Sequence, residues 1–430
     1  MAEQKTVTVR NAISLGVGSM VGAGIFALLG EAAAMAGSAV WLMFLAAGII
    51  ALLTGYSFVQ LGVRYPTRGG VVEYLVRAYG SGTFSGGCSI LFYIAQLIGV
   101  AMISLAFGKY AAQLIGITDN LAVWERVLAS GLVVTLAALN LAGSKLIGKI
   151  QKIIVIANLA ILGSFAVALS KFADVSNLSV NTWPDTGPIL GSLALTFFAF
   201  TGFAVISNAA DRMKDPARDL PRAMFSTIGI VIVLYVALAL GVVGTVDAQT
   251  LSSSGPMLLV EAARTAFGPL ALKVLLISAV ISTITCINGG LFGITNITFT
   301  LAVNGQLPSR FQESLRASTH GLTISVVIAL IMLNFLSLTT VASLGSATSL
   351  LVYSLVNLGA LRLIKGTLLN RTLISLSVAA CLFAICIWVI YTLKASPSSL
   401  GIFAFFLVAS FVAETLLQRL GGRKIVAQHP

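Results

Sequence analysis

Charge is what this chain has least of. Only 9% of its 430 residues are Asp, Glu, Lys or Arg, against 58% hydrophobic ones, and the mean hydropathy is +1.00. Soluble globular domains carry about 25% charged residues, so a soluble fold is excluded. Histidine occurs only at His320 and His429, both in polar connections, which leaves metal-assisted chemistry or a Ser/His dyad within the membrane without a candidate; no metal site and no cofactor are expected. The four cysteines, Cys88, Cys286, Cys381 and Cys386, lie within or at the edge of apolar runs with no C-x-x-C spacing, and read as packing residues rather than a disulfide framework. None of the fourteen acidic residues falls at the centre of an apolar run. A cleavable leader is not expected either, because the first nine residues are polar and the run that follows is too long and ends in no small-residue cleavage site.

What the chain has instead is apolar runs near the length of about 20 residues that a membrane helix needs. Twelve can be counted, at 11–36, 39–64, 84–116, 124–142, 147–170, 188–210, 221–245, 268–303, 322–337, 338–363, 372–393 and 398–418, the ninth and tenth abutting without a polar loop. The expected fold class is therefore an all-α polytopic membrane protein with twelve transmembrane helices, and lipid is its first partner. The net charge of +12 does not point to nucleic acid, because twenty of the 26 Lys and Arg residues fall in alternate connections; the other side holds only Lys109, Arg126, Lys171, Arg264, Lys273 and Lys394. Such alternation is the positive-inside pattern. Both termini are expected on the cytoplasmic side of the cell inner membrane.

Within the first run, Gly18-Ser19-Met20-Val21-Gly22-Ala23-Gly24-Ile25-Phe26 has three glycines in nine residues. Glycine costs roughly 1 kcal/mol relative to alanine in a helix interior, and lipid offers no partner to freed backbone groups. The cluster therefore predicts a helix unwound where protein or ligand completes the bonding. Of the two half-helices, one turns free N–H groups and a partial positive charge toward the gap, which suits a carboxylate, and the other turns carbonyls, which suit an ammonium. Close packing of two helices on small residues is the competing reading. About 180 residues on, Phe197-Phe198-Ala199-Phe200-Thr201-Gly202-Phe203-Ala204 interrupts the sixth run. Paired interruptions in corresponding halves are the sequence pointer to a transporter's binding site.

Elsewhere the polar residues at depth are few. Tyr93 and Gln96 sit near the middle of the third run, where they either bond across helices or face a cavity. Asn158 stands alone in the fifth run, and Ser282, Thr283, Thr285 and Asn288 in the eighth, where hydroxyls often bond back to their own helix. The segment from Tyr65 to Gly80 reads as a Pro- and Gly-broken turn followed by a short amphipathic helix, either a plain connector or a lid near the inner vestibule.

Four landmarks in order along the chain carry a resemblance. They are Gly18 to Phe26, Pro66-x-x-Gly69-Gly70-x-x-x-Tyr74-Leu75, the sixth-run interruption with the charged stretch Lys214-Asp215-Pro216-Ala217-Arg218-Asp219-Leu220-Pro221-Arg222-Ala223, and Asn304-Gly305-Gln306-Leu307-Pro308. Together they resemble the amino acid-polyamine-organocation permeases. The resemblance implies a 5+5 inverted-repeat transporter fold with discontinuous helices 1 and 6: a first repeat over 11–170, a second over 188–364 and two peripheral helices over 372–420. It implies secondary transport of amino acids or related amines. It places the substrate against Gly18, Ser19, Val21, Gly22, Ala23 and Gly24 of the first helix and Phe198, Ala199, Phe200, Thr201, Gly202 and Phe203 of the sixth, with Phe198 best placed as aromatic cover and Tyr93 as a further contact.

The resemblance also bears on coupling. Proton-coupled relatives carry a lysine where this chain has Asn158, and commonly a glutamate where it has Ala204, so both familiar protonatable groups are missing. Ion-free exchange or facilitated diffusion, sodium bound by first-helix carbonyls with Ser282, Thr283 or Thr285, and a proton on another group all stay open, the first being favoured. Since no buried carboxylate offsets a cationic side chain, the expected substrate is a neutral zwitterionic amino acid rather than a polyamine. A channel needs a polar stripe or charged ring along one pore and an enzyme needs titratable groups at depth; neither is present. An accessory membrane subunit is compatible with composition and differs in giving no uptake in proteoliposomes. The substrate's identity, the direction of transport and the oligomeric state are not written in the sequence.

Overall fold

A computed structural model describes residues 7–22, 24–67, 69–141, 147–307 and 319–421. Ala23, Arg68, Lys145, Pro308 and both chain ends lie outside them. The described residues are helical apart from short connections and one isolated bridge between Val7 and Met213. Ten stretches among them are long and apolar enough to cross a membrane, and the first of these, Val9–Arg64, contains three helices. A shorter apolar helix, His320–Phe335, adds to them.

The first stretch begins with α1 (Val9–Val21), whose N-terminus is capped by the Thr8 hydroxyl accepting the Asn11 N–H at 3.3 Å. The helix stops at Val21, and α2 (Gly24–Ala36) starts beyond it. The glycine-rich interruption therefore falls where the sequence puts it. α3 (Val40–Arg64) returns, and α4 (Val71–Tyr79) follows as the short amphipathic segment. Gly70, at φ 48°, opens α4 and Gly80, at φ 79°, closes it. Next come α5 (Thr83–Ile115), α6 (Leu121–Leu141) and α7 (Ile147–Leu169). The second interruption separates α8 (Thr186–Phe198) from the single turn α9 (Ala204–Ser207), with a 3₁₀ turn at Thr201–Phe203 between them.

Beyond α10 (Pro216–Thr245) lie α11 (Ala248–Ser253) and α12 (Leu258–Phe267), then α13 (Pro269–Val303). Here the earlier pattern recurs: Gly255 at φ 49° precedes α12 and Gly268 at φ 78° ends it. A short helix between two positive-φ glycines leads in both cases into a very long one, 33 residues in α5 and 35 in α13. The chain ends with α14 (Thr319–Phe335), α15 (Leu338–Leu363), α16 (Leu368–Ala395) and α17 (Pro397–Gly421). The abutting ninth and tenth apolar runs are divided by Ser337, which caps α15 by accepting the Thr340 N–H at 3.2 Å.

Two packed groups emerge. α1, α2, α3, α8 and α10 contact one another, α10 lying along α3, and α5, α6, α13 and α14 form the other set, with α13 along α5. α15 touches α3, α5 and α8 and so spans both. Close approach within these groups needs glycine: a Cβ on Gly48 would meet the Ile232 side chain, and one on Gly290 would come within 2.7 Å of Val100 Cγ2.

Candidate functional site

The two interruptions touch. A Cβ on Gly202 would lie 2.8 Å from the Ser19 carbonyl carbon and 2.9 Å from the Met20 nitrogen, and one on Gly24 would fall on the Tyr235 hydroxyl, 2.7 Å from the Ala199 oxygen. Gly22 is equally confined, since a Cβ there would sit 2.8 Å from Cys286 Cβ on α13. A side chain at Gly202 or Gly24 would force the interrupted helices apart, and one at Gly22 would force the first from α13, at a typical overpacking cost of about 1–3 kcal/mol.

Beside this contact lies a cavity of about 120 Å³. That is of the order of the ~150 Å³ void that takes up benzene in another protein, so it suits a small ligand. Ser19 borders it from the end of α1, Phe198, Ala199, Thr201 and Gly202 from the second interruption, Gln96 and Gly99 from α5, and Cys286, Gly289 and Gly290 from α13. The cavity extends to Val71 of α4 and to Asn208. Outside the cavity, Tyr110 ties α5 to α2 and to the turn before α12: its buried hydroxyl lies 2.6 Å from both the Phe26 and the Pro256 carbonyl oxygens, donating to one at a time. Among the described residues no Asp, Glu, His, Lys or Arg borders the cavity. Its polarity comes from backbone groups, the Ser19 and Thr201 hydroxyls, and the amides of Gln96 and Asn208.

The carbonyls freed by the interruptions already have donors. The Tyr235 hydroxyl on α10 donates to Met20 O at 2.7 Å and lies 3.4 Å from Ala199 O. Tyr353 on α15 donates to Thr201 O at 2.9 Å, and the Thr201 hydroxyl donates to Phe198 O at 2.8 Å. On the first helix Gly18 O accepts the Gly22 N–H at 3.4 Å, and Cys286 Sγ lies 3.7 Å from Ser19 O. A carbonyl has two lone pairs, so each keeps capacity for a substrate ammonium. At the start of α2 the N–H groups of Gly24 and Ile25 belong to a first turn, where no intrahelical acceptor exists; that of Ile25 donates to the Tyr235 hydroxyl.

The expected residues divide accordingly. Ser19, Phe198, Ala199, Thr201 and Gly202 meet around the cavity, with Gly22 and Gly24 confined at its contact edge. Phe200 is buried against Tyr235 and Phe203 against Phe58 and Tyr353, so both serve as packing behind the site. Tyr93 does not border the cavity. Its hydroxyl pairs with Ser325 Oγ on α14 at 2.7 Å, which makes it an interhelical bond, while Gln96, one turn further along α5, faces the cavity. Ala23 lies outside the described residues. Cys286, expected only to pack, borders the cavity.

Gly18, Val21 and Gly22 surround a second, smaller void of about 10 Å³ together with Asn158, Ser282 and Thr285. That is near the ~10–15 Å³ lower limit for one water. Ser278 Oγ donates to Asn158 Oδ1 at 2.7 Å. Thr285 bonds back to Ile281 O at 2.9 Å, and Thr283, away from the void, bonds back to Ala279 O and Val280 O. Asn288 accepts from Asn140 Nδ2 at 2.8 Å, joining α13 to α6. Among the described residues no group of three or more His, Cys, Asp and Glu could hold a metal.

Sequence reasoning missed Tyr110, Tyr235 and Tyr353, the hydroxyls that fasten the interruptions and tie α5 to α2 and the turn before α12. Each is a tyrosine inside an apolar run, and its acceptor is 84 to 215 residues away in sequence.

A family model described as amino acid permease matches residues 7–417. The chain is 34% identical over 354 residues to the inner membrane transport protein YbaT of Escherichia coli (strain K12), covering 82% of each chain. It is 27% identical over 345 residues to the serine/threonine exchanger SteT of Bacillus subtilis (strain 168), covering 77% of this chain and 76% of that one. To the methylthioribose transporter of the same organism it is 25% identical over 378 residues, covering 84% and 81%. The protein is thus an integral membrane transporter rather than an enzyme, and the chain belongs to the amino acid permease family.

Proposed function

We propose that this transporter exchanges small neutral amino acids across the cell inner membrane by alternating access, without a coupled ion. The observation that carries this reading is the contact of the two helix interruptions beside a small cavity with no charged side chain among the described residues that line it. The substrate carboxylate is assigned to the N–H groups at the start of α2, near Gly22, Ala23 and Gly24. The ammonium is assigned to carbonyls at Gly18, Ser19, Phe198, Ala199 and Thr201, with Phe198 as the aromatic cover. The cavity volume fits a small side chain, and a relative named as a serine/threonine exchanger is in keeping with both the substrate size and the mode.

The proposed architecture has twelve spans: α1 with α2, and α8 with α9, each form one interrupted span, and α14 is a short one. The recurrence of a short helix between two positive-φ glycines, α4 and α12, supports inverted repeats over 11–170 and 188–364, with α16 and α17 peripheral over 372–420. The concentration of Lys and Arg in alternate connections supports cytoplasmic termini. The α1–α3–α8–α10 group is the body that rocks against the α5–α6–α13–α14 group.

One observation favours a second reading, a sodium symporter: the void among Gly18, Val21, Gly22, Asn158, Ser282 and Thr285. Proteoliposomes loaded with unlabelled serine, threonine or alanine, and challenged with the labelled amino acid with and without sodium, separate the two. Equal exchange in both supports the first reading; uptake only with sodium supports the second; no uptake of any amino acid removes both.

A further inference from the structure

On the lipid-facing side, away from the cavity, α5, α15 and α17 enclose an apolar groove of about 670 Å³. Its walls are hydrocarbon: Phe84 and Leu91 from α5, Leu351 and Leu355 from α15, and Val408 and Phe411 from α17. Along α17 it runs from Leu407 to Arg419, which at ~1.5 Å per residue is about 18 Å. One leaflet of a ~30 Å hydrocarbon core is about 15 Å deep. The groove is therefore one leaflet long, and its polar end carries charge of a single sign. Arg419 borders it, exposed and in no ion pair among the described residues. A second guanidinium stands nearby: Arg362 lies 4.8 Å from the Tyr79 ring, which stacks edge-on at 5.0 Å against Phe84. The Tyr79 hydroxyl donates to Leu355 O at 2.7 Å and so holds this corner together. Among the described residues no carboxylate lines the groove; Glu414, on the same helix, is turned inward against Gly86 and accepts from Gln418.

We propose that this groove is a binding site for one anionic glycerophospholipid of the leaflet on the arginine-rich side, an acyl chain lying along α17 and the headgroup phosphate on Arg419, with Arg362 as the second cation. The surroundings fix the occupant's hydrocarbon part, since this face meets the bilayer. A guanidinium at the leaflet's polar depth with no ion pair among the described residues selects a phosphate that carries net charge over a zwitterionic headgroup, and its fork fits phosphate oxygens in pairs. The site is separate from the substrate cavity and does not depend on what is transported.

The test uses the purified full chain, delipidated in detergent and titrated with phosphatidylglycerol or phosphatidylcholine, bound lipid being counted by native mass spectrometry. A juxtamembrane basic residue typically gives roughly a fivefold preference for an anionic lipid. Wild type is expected to bind phosphatidylglycerol at least about fivefold more tightly than phosphatidylcholine; R419Q to lose about fivefold of that preference, Arg362 keeping the remainder; and V408W, which fills the groove, to lose the tightly bound molecule of either. Arg419 and Val408 are both exposed, so neither change disturbs the core. R419Q keeping the wild-type preference, or V408W keeping the bound lipid, overturns the proposal. Exchange of amino acids by the same preparations reports separately on the transport reading.

Discussion

Ser278 donates its hydroxyl hydrogen to the Asn158 amide oxygen at 2.7 Å, joining α13 to α7 beside the first helix interruption. The bond takes one of the two lone pairs of the amide oxygen, so Asn158 can offer the adjacent void its N–H donors and one remaining lone pair. It can mimic the donor side of an ammonium but cannot gain or lose a proton. Asn158→Ala is expected to lower stability by about 1 kcal/mol, because the buried Ser278 hydroxyl loses its acceptor, while the pH dependence of exchange stays as in wild type. Thermal unfolding and exchange between about pH 5 and 8 check this; a pH response that disappears in the variant contradicts it.

Tyr235 fastens both interruptions, and Tyr235→Phe leaves the Met20 carbonyl without its donor. An orphaned buried acceptor costs about 1–3 kcal/mol. A fall in the thermal midpoint, together with a higher KM for exchange, is the expected outcome. A variant as stable as wild type shows that the carbonyl finds another donor.

The Tyr110 hydroxyl, buried between the Phe26 and Pro256 carbonyls, ties α5 to α2 and to the turn before α12. Its loss in Tyr110→Phe weakens that tie by about 1 kcal/mol, roughly a fivefold rise in local opening of the joined segments. Amide hydrogen exchange over α12 and the Gly255 turn is expected to quicken by about that factor, with α16 unchanged.

Phe198 packs on Gly345 of α15, where a Cβ would lie 2.7 Å from its Cε1 atom. Gly345→Ala is expected to push the ring toward the cavity and to raise KM more for threonine than for alanine. An equal change for both substrates would mean that Phe198 does not border the substrate's side chain.

The places where the fold departs from plain helices were legible because glycine clusters in apolar runs are rare and costly. Gly18, Gly22 and Gly24 marked the first interruption, and the run around Gly202 the second. Helix phase was not legible. α5 is buried on nearly all sides, so no apolar stripe tells which way Tyr93 and Gln96 point. Ser282 and Thr283 are neighbours in sequence, yet one borders the small void and the other bonds back to its own helix. The tyrosines that complete the site act across distant segments, and a sequence carries no local mark of such partners.

The most direct test of the central claim is counterflow in proteoliposomes loaded with unlabelled serine, following labelled serine with no gradient, with an imposed pH gradient and with an imposed sodium gradient. The account predicts the same exchange in all three and no accumulation in liposomes lacking internal substrate. Concentrative uptake into empty liposomes driven by either gradient contradicts it.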